Sequence, residues 1–159
     1  MYKSVNIRLK PLVISLLISL GTGGLSALLT RNEMEHYKAL NQPPLAPPAM
    51  VFPIVWGILF TLMGISAYLV YISHSKEKKR ALILYGVQLV MNFAWTLIFF
   101  NRHAYLLAFI WLVALWLVIL AMIIDFFKVR PLAGWLQIPY LLWVAFAGYL
   151  NIMIYFLNK

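Results

Sequence analysis

The 159-residue chain has no cysteine, four acidic residues, and charged residues at 11% of its length. Without cysteine it can form no disulfide, thiolate nucleophile or iron–sulfur cluster. So little charge beside 64% hydrophobic and 16% aromatic content excludes an ordinary water-soluble globule, about a quarter of whose residues are charged. The net charge of +9 would suit nucleic acid only if the cations shared one water-exposed face. They are instead dispersed in short clusters, so no nucleic-acid partner is expected.

The charges fall at 3–10, 31–38, 76–80, Arg102, 125–130 and Lys159, leaving uncharged stretches of 20, 37, 21, 22 and 28 residues. About 20 apolar residues in helix cross a hydrocarbon core. Each stretch therefore holds one span, and the fold class is all-α: a single integral membrane domain over 1–159 made of five transmembrane helices. The helices are expected at about 11–30, 51–72, 81–100, 104–124 and 132–157, with a proline-rich lid loop at 31–50. Loops assigned alternately to the two sides carry +7 and +2. By the positive-inside rule the N-terminus is cytoplasmic and the C-terminus outside, in a bacterial cell membrane. The basic start with its apolar run is read as a retained first span, because the run exceeds a usual signal-peptide core.

Helix 1 carries Ser15, Ser19, Gly23 and Ala27 at four-residue intervals. Small residues so spaced allow close helix approach, so this face is expected to pack internally, with little bearing on ligand chemistry. In the following loop, Pro43, Pro44, Pro47 and Pro48 remove four backbone donors and fix four φ angles. A stiff extended segment is expected, serving as a spacer or as a lid over the outer mouth of the bundle.

On helix 3, a rotation of 100° per residue separates two faces. Gly86, Val90 and Ala94 form a smooth small face suited to dimerisation or internal packing. Gln88, Asn92, Trp95 and Phe99 lie opposite, and their amides are costly against lipid, so this face looks inward. Helix 5 gathers Pro139, Tyr140, Trp143, Phe146, Ala147, Leu150 and Asn151 on one arc, and helix 2 adds Phe52, Trp56 and Phe60. These groups converge in depth beneath the proline loop. They form either an apolar ligand site with a few placed polar groups or ordinary helix packing. Trp135 and Tyr105 fit an interfacial aromatic belt, while Trp111 and Trp116 fit either lipid or core.

No acid lies within an uncharged stretch, and Asp125 is expected to close helix 4, which disfavours a proton-coupled pump. His36, His74 and His103 are too scattered in sequence to read as a metal site, so none is expected. No nucleophile–base pair, phosphate-binding glycine loop or paired carboxylates occur. Leu150, Tyr155 and Lys159 meet a loose cholesterol-contact pattern, for which an aromatic-basic helix end is the default explanation.

Pro43-Pro44 and Pro47-Pro48, then Phe52 and Trp56, then Gln88, Asn92 and Trp95, and finally Pro139-Tyr140-Leu141, Trp143, Phe146-Ala147 and Leu150-Asn151 occur in order. In this the chain resembles, over essentially its whole length, the translocator protein family, also called peripheral-type benzodiazepine receptor and tryptophan-rich sensory protein. The resemblance implies a commonly dimeric five-helix membrane receptor. Its ligands would be porphyrins such as protoporphyrin IX and haem, sterols, and synthetic isoquinoline carboxamides and benzodiazepines. No cofactor is required; porphyrin or haem enters as ligand.

Carried over by position, the resemblance implies a site of Tyr37, Pro47, Trp56, Phe60, Asn92, Trp95, Trp143, Phe146, Ala147 and Leu150. It also implies a candidate activity, light- and oxygen-dependent porphyrin degradation, with Trp56 and Trp143 as candidate redox-active indoles. The alternative is a passive transporter or exporter component for tetrapyrroles or sterols. Asn41-Gln42 departs from the basic residue the family often carries nearby.

Overall fold

Backbone amides in hydrocarbon find no water to bond, so apolar runs of this length fold as helices that satisfy their own hydrogen bonds. The structure, a computed structural model, describes residues 7–159. The start of the basic 3–10 cluster, including Lys3, lies outside the described residues. Those residues form α1 (Leu9–Thr30), a 3₁₀ turn (Arg31–Glu33), α2 (Met34–Ala39), α3 (Val51–Tyr71), α4 (Lys78–Thr96), a π turn (Leu97–Asn101), α5 (Tyr105–Val129) and α6 (Pro131–Asn158). Five helical stretches among them are long and apolar enough to cross a membrane: Leu9–Ala39, Val51–Tyr71, Lys78–Asn101, Tyr105–Val129 and Pro131–Asn158.

The helices form a ring. α1 packs on α3, α3 on α6, α6 on α5 and α5 on α4, and α4 returns to α1 and α3. The small face of α1 packs internally as the sequence predicts at Ser15 and Ser19, but its Gly23 and Ala27 border a cavity. Ser15 Oγ donates to the Gly64 carbonyl and Ser19 Oγ to the Phe60 carbonyl, each at 2.7 Å. Gly64 permits this approach, since a Cβ there would lie 2.7 Å from Ser19 Oγ and 3.1 Å from Leu16 Cα. Trp111 and Trp116 staple neighbouring helices, donating to the carbonyls of Met91 (2.8 Å) and Leu141 (3.2 Å). Trp135 is exposed, as a belt residue would be. On α4, Gly86 and Val90 are exposed on the outside of the ring and Ala94 is half-buried. No protein atom would meet a Cβ at Gly86 within 4 Å, so this face makes no close internal packing there.

Three expectations need correction. Residues 31–39 are not loop, because α1 continues through the 3₁₀ turn into α2; the charges there decorate a helix instead of ending it. The proline segment is not uniformly extended. Ala46 N bonds the Pro43 carbonyl at 3.2 Å, and Leu45 takes φ 70°, so Pro44–Leu45 form a tight turn of the kind in which proline presets the first corner. Asp125 does not close its helix, which continues to Val129. It is buried inside α5, where Arg80 of α4 donates to both of its oxygens, Nε at 2.7 Å and Nη2 at 2.5 Å. A buried carboxylate is tolerable when paired in this bidentate way.

Candidate functional site

At the end of the bundle that carries residues 31–50, the ring encloses a cavity of about 470 Å³. Four walls meet there. α3 contributes Phe52, Trp56 and Phe60; α4 and its π turn contribute Asn92, Trp95, Phe99 and Phe100; α6 contributes Trp143, Ala147, Leu150 and Asn151. The fourth wall is the continuous α1–α2 face.

A chain of polar groups underlies the cavity. The Tyr140 hydroxyl donates to Gln88 Oε1 at 2.7 Å and accepts from Asn92 Nδ2 at 2.8 Å, while Gln88 Nε2 lies 4.0 Å from Met63 Sδ. All three polar residues are buried, which explains why two amides can reside within an apolar bundle. A second chain ties α4, α6 and α5 together: Trp95 Nε1 donates to Asn151 Oδ1 at 3.0 Å, and Asn151 Nδ2 donates to the Tyr105 carbonyl at 2.8 Å. The indole of Trp143 differs from that of Trp95. Its Nε1 is buried with no hydrogen-bond partner in the protein.

The aromatic rings are mutually braced. Trp56 lies against Phe60 (centroids 5.6 Å) and edge-on to Tyr140 (6.2 Å), and Trp143 contacts Phe52 at 6.1 Å. Tyr37 reaches in from α2 to Phe52, Phe99 and Phe100 at 6.2, 6.0 and 5.5 Å. The π turn supports that last pair of contacts, since its wider winding lets the successive residues Phe99 and Phe100 both meet Tyr37.

The loop is fastened over this end. Asn158 Oδ1 accepts from Asn41 N (2.9 Å) and Asn158 Nδ2 donates to the Asn41 carbonyl (3.0 Å), while the Tyr149 hydroxyl donates to the Pro44 carbonyl (2.7 Å). The 3₁₀ turn and α2 are also tied outward to the α4–α5 connection. Glu33 Oε2 lies 3.0 Å from His103 Nε2, and the His36 and His103 rings stack at 4.1 Å. Two of the three histidines scattered in sequence are thus neighbours in space, although no group of three or more ligating side chains suited to a metal occurs among the described residues.

Of the expected site residues, Tyr37, Trp56, Phe60, Asn92, Trp95, Trp143, Ala147 and Leu150 line the cavity together. Pro47 and Phe146 are half-buried outside the lining, and Phe146 supports the site indirectly by packing on Trp143 at 5.5 Å. The sequence reading missed the α1–α2 wall. Besides the expected Tyr37, the residues Gly23, Ser26, Thr30 and Met34 all face the cavity. Their steps of three and four continue across the charged cluster, a helical signal that was present but interrupted by charge. Gly23 is needed for that wall, because a Cβ there would sit 2.6 Å from the Phe60 ring.

Comparison with known proteins agrees with this arrangement. A profile described as the TspO/MBR family matches residues 13–157. The tryptophan-rich protein TspO of Chlorobaculum tepidum is 35% identical over 149 residues, covering 92% of this chain and 94% of that protein. The translocator protein of Bos taurus is 38% identical over 141 residues, 86% of this chain and 83% of its own. The tryptophan-rich sensory protein of Cereibacter sphaeroides is 35% identical over 117 residues, 74% and 73% of the two chains. With five apolar spans and a match covering nearly its whole length, the chain is an integral membrane protein that belongs to the TspO/MBR family.

Proposed function

We propose that this protein is a membrane receptor for hydrophobic planar ligands, chiefly porphyrins such as protoporphyrin IX and haem, with synthetic isoquinoline carboxamides and benzodiazepines entering the same pocket. The observation that carries the reading is the convergence of Trp56, Trp95 and Trp143 around Asn92 in one largely apolar cavity. Flat indole faces offer stacking area to a macrocycle. Asn92 places an amide in this lining, and the Trp143 Nε1 has no hydrogen-bond partner within the protein. The reading extends to breakdown of bound porphyrin under light with oxygen as the oxidant, for which Trp56 and Trp143 are the candidate redox-active side chains. It also takes the chain as a homodimer through Gly86, Val90 and Ala94, with its N-terminus cytoplasmic.

The test is a titration of the detergent-solubilised protein with protoporphyrin IX, first in darkness and then under illumination, following tryptophan fluorescence and pigment absorbance. Saturable quenching in the dark supports the receptor, and protein-dependent bleaching in the light supports degradation. Absence of quenching removes the ligand assignment. Flux of porphyrin across reconstituted vesicles, faster with protein than without, would favour the transport alternative.

A further inference from the structure

Among the described residues, the cavity lining includes two charged side chains, and both are cationic: Arg31 and Lys38. They stand on the same face as Met34 and Tyr37, where helix 1 runs on into α2. Seven residues make almost two helical turns, so the two cations project from one side, roughly 10 Å apart along the axis. The acids of the same segment, Glu33 and Glu35, do not line the cavity. Glu33 is engaged by His103 at 3.0 Å, and Asp125 by Arg80. Glu77 precedes α4, in the connection from α3. Glu35 approaches Lys38 at 3.6 Å, but its side chain is 90% exposed, and a water-exposed pair of that kind is weak and readily exchanged. Arg31 makes no ion pair within the described residues.

Apart from these cations the lining is mainly aromatic and aliphatic. The lining thus has an apolar slot and a cationic rim. A neutral planar ligand uses the first and leaves the second idle, whereas a planar body bearing carboxylates uses both. We infer that Arg31 and Lys38 form an anion subsite at the rim, which selects acidic planar amphiphiles, dicarboxylates above all, over neutral ones and fixes their acidic edge toward residues 31–38. This rests on the reading that the cavity takes a planar apolar ligand. Charge-assisted contacts of guanidinium and ammonium with carboxylate supply the selectivity.

Protoporphyrin IX and its dimethyl ester share one macrocycle and differ in their two carboxylates, so they separate the two contributions. Each is titrated in darkness against wild-type protein and the double variant Arg31→Gln, Lys38→Gln in neutral detergent, with tryptophan quenching as the readout. Both positions are exposed, so the fold is expected to survive, and circular dichroism checks it. The wild type should bind the acid about tenfold more tightly than the ester, and that preference should weaken as salt rises. The double variant should lose most of the preference while its affinity for the ester changes by less than about twofold. Arg31→Lys should keep part of it. Equal binding of acid and ester by the wild type, or an equal loss for both in the double variant, overturns the anion subsite alone. Failure of both probes to quench overturns the planar-ligand reading and this inference with it. Displacement of the ester by palmitate as effectively as by the porphyrin acid would assign the subsite to membrane fatty acids and overturn the planar selectivity.

Discussion

Asn158, at the last turn of α6, holds both backbone groups of Asn41, 117 positions away, accepting from its N–H and donating to its carbonyl. One side-chain amide therefore substitutes for a strand partner and clamps the loop to the bundle. Tyr149 adds a second fastening at Pro44. Between them the loop has a defined seat, and its prolines limit what it can do when released.

Asn158→Ala should loosen this seat. Each lost hydrogen bond is worth about 0.5–1.5 kcal/mol net. Porphyrin dissociation is then expected to accelerate roughly three- to tenfold, with dark affinity falling mainly through that rate. Stopped-flow recovery of tryptophan fluorescence measures it, and hydrogen exchange at 40–46 should rise in parallel. Unchanged exchange would mean that the clamp does not control the loop.

Tyr140→Phe should destabilise the bundle more than its surface area suggests. The hydroxyl is shared by Gln88 and Asn92, both buried. Its loss strands an acceptor and a donor, at about 1–3 kcal/mol each. A fall of several degrees in melting temperature in detergent is expected. A thermal profile like that of the wild type would show that the amides find other partners.

Gly64→Ala tests the α1–α3 seam. The new methyl would meet Ser19 Oγ at 2.7 Å and the α1 backbone at 3.1 Å, so the helices must separate and the Ser15 and Ser19 bonds lengthen. Overpacking of this kind costs about 1–3 kcal/mol. Gly86→Ala meets no atom within 4 Å and should hold monomer stability or raise it by up to about 1 kcal/mol through the helix preference of alanine, which makes it the control. If Gly86→Ala alters the cross-linked dimer fraction while stability holds, the outer face of α4 is the dimer contact.

Replacing Trp56 and Trp143 together by Phe keeps large flat rings in the cavity but removes both easily oxidised indoles. Dark binding of protoporphyrin IX should persist within about tenfold, since most of the stacking area remains. Light-dependent bleaching should be lost. Bleaching at the wild-type rate in the double variant would remove both indoles from the proposed chemistry.

Five spans, their approximate ends and the inward face of α4 follow from sequence alone, because a hydrocarbon solvent imposes simple rules: long uncharged runs become helices, and amides turn away from lipid. Gln88, Asn92 and Trp95 were legible for that reason, and each is buried. Charge was a poorer guide to helix ends. It marks where the membrane stops, but a helix can continue into water, as α1 does into α2, or fold an acid inward when a partner reaches it, as Arg80 does for Asp125.

What the tertiary structure alone decided is which distant residues became neighbours. Asn41 with Asn158, His36 with His103, and Arg31 and Lys38 above the indoles are encounters that no local pattern encodes. They depend on the order in which five helices close their ring. That order is set by the summed packing of small faces such as Ser15, Ser19 and Gly64, a property of pairs of helices and not of any one.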